Sequence, residues 1–239
     1  MVGIAMRSAF SLGLHVPDPD PSILPARRQD MVRIWWSLHF LESLLSSMTG
    51  RPSIIPNEDI TISAPSVAHA VQGGLGKAPD SGFTHANSHL NLLTQQVISN
   101  LYTQRRSTPS WDYVQKIIVS LVGDLDKWAV ESMPEHLDGN RNMDFEHQRE
   151  IMLLKLQYYR LKIITTRPSL RRIERCFEAG IEEYTSLDQS VAEACIQAAQ
   201  DVASLVAGET TVKSLYEKGP WWSIVHNSMF VIPFAVCHY

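Results

Sequence analysis

Cysteine is scarce and scattered in this sequence. Cys176, Cys195 and Cys237 lie far apart, are odd in number and form no Cys-x-x-Cys pair. That excludes a disulfide framework and a cysteine-built zinc site, and the expected state is free, buried thiols in a reducing compartment. Long apolar runs are also missing. Residues 1–16 are interrupted by Arg7 and lack a small-residue cleavage site before the Asp-Pro run, so they do not read as a signal peptide. Residues 228–237 fall well short of the roughly 20 needed to span a bilayer, and Pro233 interrupts them. The chain is expected to be soluble and intracellular, with no membrane partner.

Positive charge is not in excess either. Lys and Arg number 21 against 25 Asp and Glu, a formal charge of −4, whereas a domain that grips a phosphate backbone by itself carries a basic balance. Catalytic signatures are absent: there is no G-x-S-x-G elbow and no H-E-x-x-H zinc helix. Gly76-Lys77 resembles the end of a phosphate loop, but Val71 replaces its first glycine and Ala78 its magnesium-binding hydroxyl. His85 and His89 share a helix face at a metal-compatible spacing, yet no third ligand is named nearby, and surface histidines are the expectation. Asp124 and Asp126 flank Leu125 and diverge on a helix. No catalytic residue and no metal ligand is assigned.

What the chain does contain is helical patterning. Hydrophobic residues make up 44% of its 239 positions and charged residues 19%, a globular mixture large enough for one large domain or two small ones. Val2, Ala5, Met6, Ala9 and Leu12 predict a first helix over 2–13, ended by Gly13. A Pro-rich link leads to a helix over 26–48, whose expected core face is Met31, Ile34, Trp35, Leu38, Leu41 and Leu45, with Trp36 off its centre. Residues 53–82 read as loop. Periodicity returns at Leu90, Leu93, Val97 and Leu101, then from Trp111 to Trp128. Further helices are expected over 145–165, broken by Pro168, over 187–207, and from Pro220 onward. No alternation demands a sheet, so the fold class is all-α. The sequence opens in helical phase without a capping residue and closes in an apolar stretch, which reads as truncation at both ends.

The motifs, in order, are Gly3-Ile4-Ala5-Met6-Arg7-Ser8-Ala9, Leu12-Gly13-Leu14-His15, Arg27-Arg28, Arg33-Ile34-Trp35-Trp36, Gly50-Arg51-Pro52, Glu58-Asp59-Ile60 and Pro65. Later come Leu156-Gln157-Tyr158-Tyr159, Arg167-Pro168 with Leu170, Cys195-Ile196-Gln197-Ala198-Ala199 and Trp221-Trp222. Their succession resembles the fungal-specific transcription factor domain, the middle homology region of the fungal binuclear zinc cluster transcription factors. The family's Asp-Arg pair at the end of the Trp-Trp helix is Glu42-Ser43 here.

The resemblance implies an irregular multi-helix regulatory domain of a nuclear protein that controls transcription by RNA polymerase II. It implies DNA and zinc as partner and cofactor only through an N-terminal module that this chain lacks, and leaves protein partners or an effector for the chain itself. Its subregions are read as 1–65, a linker at 66–82, and 83–239. The motif residues Arg7, Leu12, Gly13, Arg28, Trp35, Trp36, Glu42, Gly50, Arg51, Pro52, Arg167 and Pro168 are expected to be structural. Arg51 is suited to bond helix-end carbonyls, and Arg7 to pair with Glu42 in a core, so that Arg7→Ala destabilises the fold. The alternative is an all-helical enzyme or small-molecule binding protein, which requires Arg7, Glu42, His85, His89 and Asp124 to converge on one pocket.

Overall fold

The computed structural model describes residues 1–17, 22–49, 54–55, 59–63, 81–103, 109–133, 145–181 and 183–207. Gly50, Arg51, Pro52, the 73–76 glycine stretch and the helix expected from Pro220 lie outside them. The fold is all-α. Six α-helices are described: α1 Val2–Ser11, α2 Pro25–Thr49, α3 Ser81–Val97, α4 Trp111–Ser132, α5 Phe145–Ala179 and α6 Ser186–Ala207. A π-helical turn, Ile98–Tyr102, extends α3. The chain forms two compact units, residues 1–103 and 104–239. Helix α3 thus belongs with α1 and α2.

In the first unit, α1 ends as its sequence dictates. Gly13 takes φ +74°, its amide bonds the Phe10 carbonyl at 2.9 Å, and the Leu14 amide bonds Ala9 at 3.1 Å. These are the paired bonds of a Schellman cap, and the accompanying apolar contact is present because Ala9 and Leu14 are both buried. Met6, Ala9 and Leu14 pack on Trp35, Trp36 and Ile55, with Leu92 of α3 added from the side.

Helix α2 departs from the expected core face. Trp35 is buried, but so are Trp36, His39, Glu42, Ser43 and Ser46, whereas Ile34 and Leu45 are 50% and 39% exposed. At about 100° per residue the buried side is therefore rotated toward the polar residues. Directional bonds to the chain crossing α2, set out below, hold that side inward, and an apolar tally cannot register them.

In the second unit α5 lies between two partners. Met152, Leu156, Ile163 and Leu170 form one cluster with Ala192, Cys195, Ala198, Ala199 and Val202 of α6. The small residues of α6 admit the large ones of α5. Tyr158 is on another face, stacked on Trp128 of α4 with ring centroids 6.0 Å apart.

The expected break at Pro168 does not occur, and α5 runs through it. An interior proline removes one amide donor and crowds the preceding turn, at a cost of about 3 kcal/mol. Leu170 and Ile173, both packed against α6 beyond the proline, supply burial of comparable size. The true stop is Gly180, at φ +65°, where Gly180 bonds Phe177 and Ile181 bonds Cys176 in a second Schellman pattern. Leu170→Ala is expected to cost about 2–5 kcal/mol in chemical denaturation, as for a core position. A cost below about 1 kcal/mol would show that the helix is not packed beyond Pro168.

Candidate functional site

Trp35, Trp36 and Glu42 lie where α1, its turn and α2 meet residues 54–55 and 59–63. Glu42 is the anchor. Its Oε1 accepts the Ile54 amide at 2.9 Å and the Ser46 hydroxyl at 2.8 Å. Trp36 is buried for its indole donor as much as for its ring, since Nε1 bonds the Ser63 carbonyl at 3.2 Å. The His15 carbonyl accepts the amides of Thr61 and Ile62 at 3.1 and 3.0 Å. The His15 ring stacks on Phe10 at 4.1 Å and meets Trp35 at 5.7 Å. Residues 54–55 and 59–63 are thus fixed by a carboxylate, an indole N–H and a carbonyl freed at a helix end.

Beneath this segment runs a polar seam between α2 and α3. His39, fully buried, meets Gln95 at 2.9 Å. With the Gln95 amide donating to Nε2, the imidazole proton sits on Nδ1, which is buried without a partner among the described residues. Ser43 Oγ and Asn91 Nδ2 are in the same condition. Buried polar groups left unmet cost about 1–3 kcal/mol each, so these atoms weaken the packing here. Burial pushes His39 down to about 4 from its ordinary 6.5, against the opposing pull of Glu42 and of the Gln95 hydrogen bond.

The other sequence candidates are dispersed. Arg7 is exposed and has no ion pair among the described residues; the expected pairing with Glu42 is not formed, because that carboxylate turns to Ile54 and Ser46. Leu12 is the exposed C-cap of α1. Arg28 is half-buried, and Arg33 pairs with Asp30 at 3.6 Å on the surface. The rings of His85 and His89 lie 4.4 Å apart on α3, tilted by 41°, and partial burial and then the neighbouring His89 lower the basicity of His85. In the second unit Asp124 is exposed, while Asp126 holds Lys162 and the Tyr158 hydroxyl, each at 3.3 Å. Arg167 is half-buried in α5.

Sequence reading missed a second polar centre, Asp188. This fully buried carboxylate accepts Trp111 Nε1 and Gln115 Nε2 on Oδ1, both at 3.0 Å. On Oδ2 it accepts the Thr185 amide at 2.9 Å and the Thr185 hydroxyl at 3.0 Å. The Asp188 amide returns to Thr185 Oγ1 at 3.1 Å, closing a reciprocal box at the start of α6. Arg172 covers the Trp111 ring at 4.9 Å. The Thr-x-x-Asp spacing was the available signal.

Both centres are packing and capping devices: buried carboxylates spent on amides, indoles and hydroxyls. They define a helical domain that holds its own irregular segments in place. The sequence of residues 1–130 matches the fungal specific transcription factor domain, more than half of the chain, and the chain belongs to that family. It is similar to transcription factor FBD3 of Gibberella moniliformis, 24% identical across 98% of this chain and 34% of that protein. It is also similar to two uncharacterized transcriptional regulatory proteins of Schizosaccharomyces pombe. One is 26% identical across 85% of the chain and 25% of that protein. The other is 25% identical across 91% of the chain and 29% of that protein. The chain thus spans about a third or less of these relatives. No solved structure matches it.

Two outcomes are expected. Glu42→Ala is expected to lower unfolding stability by about 1–3 kcal/mol, because the Ile54 amide loses its acceptor, whereas exposed Arg7→Ala stays within about 0.5 kcal/mol; equal effects would contradict this placement. For His39, the unfolded chain takes up a proton near pH 6.5 and the folded chain only near pH 4. Its contribution is therefore intact above pH 6.5 and falls by about 3 kcal/mol as the pH drops to 4. His39→Gln removes that part of the slope in denaturant titrations across this range.

Proposed function

We propose that the chain is the regulatory region of a fungal zinc-cluster transcription factor, acting in the nucleus on transcription by RNA polymerase II through intramolecular contacts, partner proteins or an effector. The observation that carries this reading is the family match over residues 1–130, coinciding with the packed core in which Trp35, Trp36 and Glu42 fix residues 54–55 and 59–63. The reading assigns no catalytic step to the chain, and gives DNA contact to a zinc module elsewhere in a longer protein.

The described thiols do not fit that zinc cluster. Cys195 is buried in the α5–α6 core, its Sγ 3.8 Å from the Ile163 carbonyl, and burial pushes its thiol up, away from the thiolate a metal needs. Cys176 sits against the Glu183 carbonyl at 3.9 Å. No group of metal-ligating side chains joins either one among the described residues. Nor is any described helix long and apolar enough to cross a membrane. The net charge of −4 is consistent with a chain that leaves phosphate binding to another module.

The reading is tested by fusing the chain to an unrelated DNA-binding module in a fungal reporter strain. Reporter output is expected to shift several-fold from that of the module alone, and the shift to be lost with Glu42→Ala. Output identical to that of the unfused module, from a fusion that accumulates normally, would contradict a regulatory role.

A further inference from the structure

Among the described residues, one edge of α2 is only partly covered by its own unit. Met31, Ile34, Leu38, Leu41, Leu45 and Met48 recur at alternating steps of three and four, the a and d spacing of a coiled-coil seam. Met31 and Leu38 lean toward the Trp35 cluster. Ile34 and Leu45 are substantially exposed, and Leu41 and Met48 are only partly covered. Single exposed apolar residues are ordinary on a protein surface; an in-register stripe along one helix is not.

The spacing restricts what covers this edge. A period near 3.5 residues is matched by a second helix lying almost along the first, and not by a strand or a flat surface. The order of the residues narrows the partner further. The pairs Met31 and Met48, Ile34 and Leu45, and Leu38 and Leu41 share one midpoint on the helix. The stripe therefore reads nearly the same in both directions and is self-complementary about a two-fold axis.

Charge agrees. Arg27, Arg28, Asp30 and Arg33 crowd the first turns, whereas Glu42 is the sole carboxylate or basic side chain, histidine apart, between Ile34 and Thr49, and it is buried. Parallel packing sets one basic start against another. Antiparallel packing sets each basic start beside an uncharged, dipole-negative end.

We propose that this edge is an interface between two copies of the chain, their α2 helices packed antiparallel with Ile34 of each facing Leu45 of the other. The interface stands independently of any role in transcription.

Sedimentation equilibrium of the full chain tests it, with Ile34→Glu, Leu45→Lys and both substitutions together. Helical circular dichroism is expected to be unchanged in all three, because the positions are at the surface. The unsubstituted chain sediments at twice its mass in the micromolar range. Each single variant weakens association by roughly tenfold or more, a loss of 1.4 kcal/mol or greater. The double variant recovers it, because the new carboxylate and ammonium face each other across the two-fold. A monomeric unsubstituted chain, or a dimer indifferent to either single change, overturns the interface. A double variant no tighter than the singles overturns the antiparallel arrangement.

Discussion

A carboxylate withdrawn from water has to be answered by donors, and in the first unit that requirement organises everything near α2. Glu42 accepts a backbone amide from Ile54 and a hydroxyl from Ser46. By doing so it fixes where the chain returns after α2. Once Ile54 is placed, Ile55 enters the core beside Trp35 and Trp36. The following residues then reach the His15 carbonyl and the Trp36 indole. Removing the carboxylate leaves the part-buried Ile54 amide without its acceptor, which costs more than the bond contributed when made. The same logic recurs at Asp188, where one carboxylate ties the starts of α4 and α6 together.

This economy explains why α2 turns a polar side inward. Two indoles, an imidazole, a carboxylate and two serine hydroxyls are buried there, and the bonds of Trp36, His39, Glu42 and Ser46 are directional where apolar contacts are not. The seam against α3 is less complete than the anchor above it, since His39 Nδ1, Ser43 Oγ and Asn91 Nδ2 lack partners among the described residues. The first unit therefore combines a firm attachment of its irregular segment with a costly helix–helix seam.

Much of the architecture was legible in the residues. Apolar periodicity located the helices, and Gly13 announced the end of α1 because only a residue tolerant of φ +74° suits that position. Three features were not legible. Pro168 argued for a break by local chemistry, yet burial of Leu170 against α6 outweighed it. The buried side of α2 was misread because polar residues that are bonded in the fold look like solvent residues in a periodicity count. Arg7 suggested a buried partner from its place in an apolar helix, but the helix turns that position to water. Trp35, Trp36 and Glu42 were singled out through family resemblance. Their individual bonds depend on a segment far along the chain, and no local window contains that information.

Glu42 and Trp36 of α2, together with the His15 carbonyl, hold residues 54–55 and 59–63 in place. Amide hydrogen exchange at Ile54, Thr61 and Ile62 tests this most directly. These amides donate to Glu42 and to the His15 carbonyl, so they are predicted to exchange as slowly as the core amides of α2. Exchange at the rate of an open loop, while α2 itself stays protected, would contradict the account.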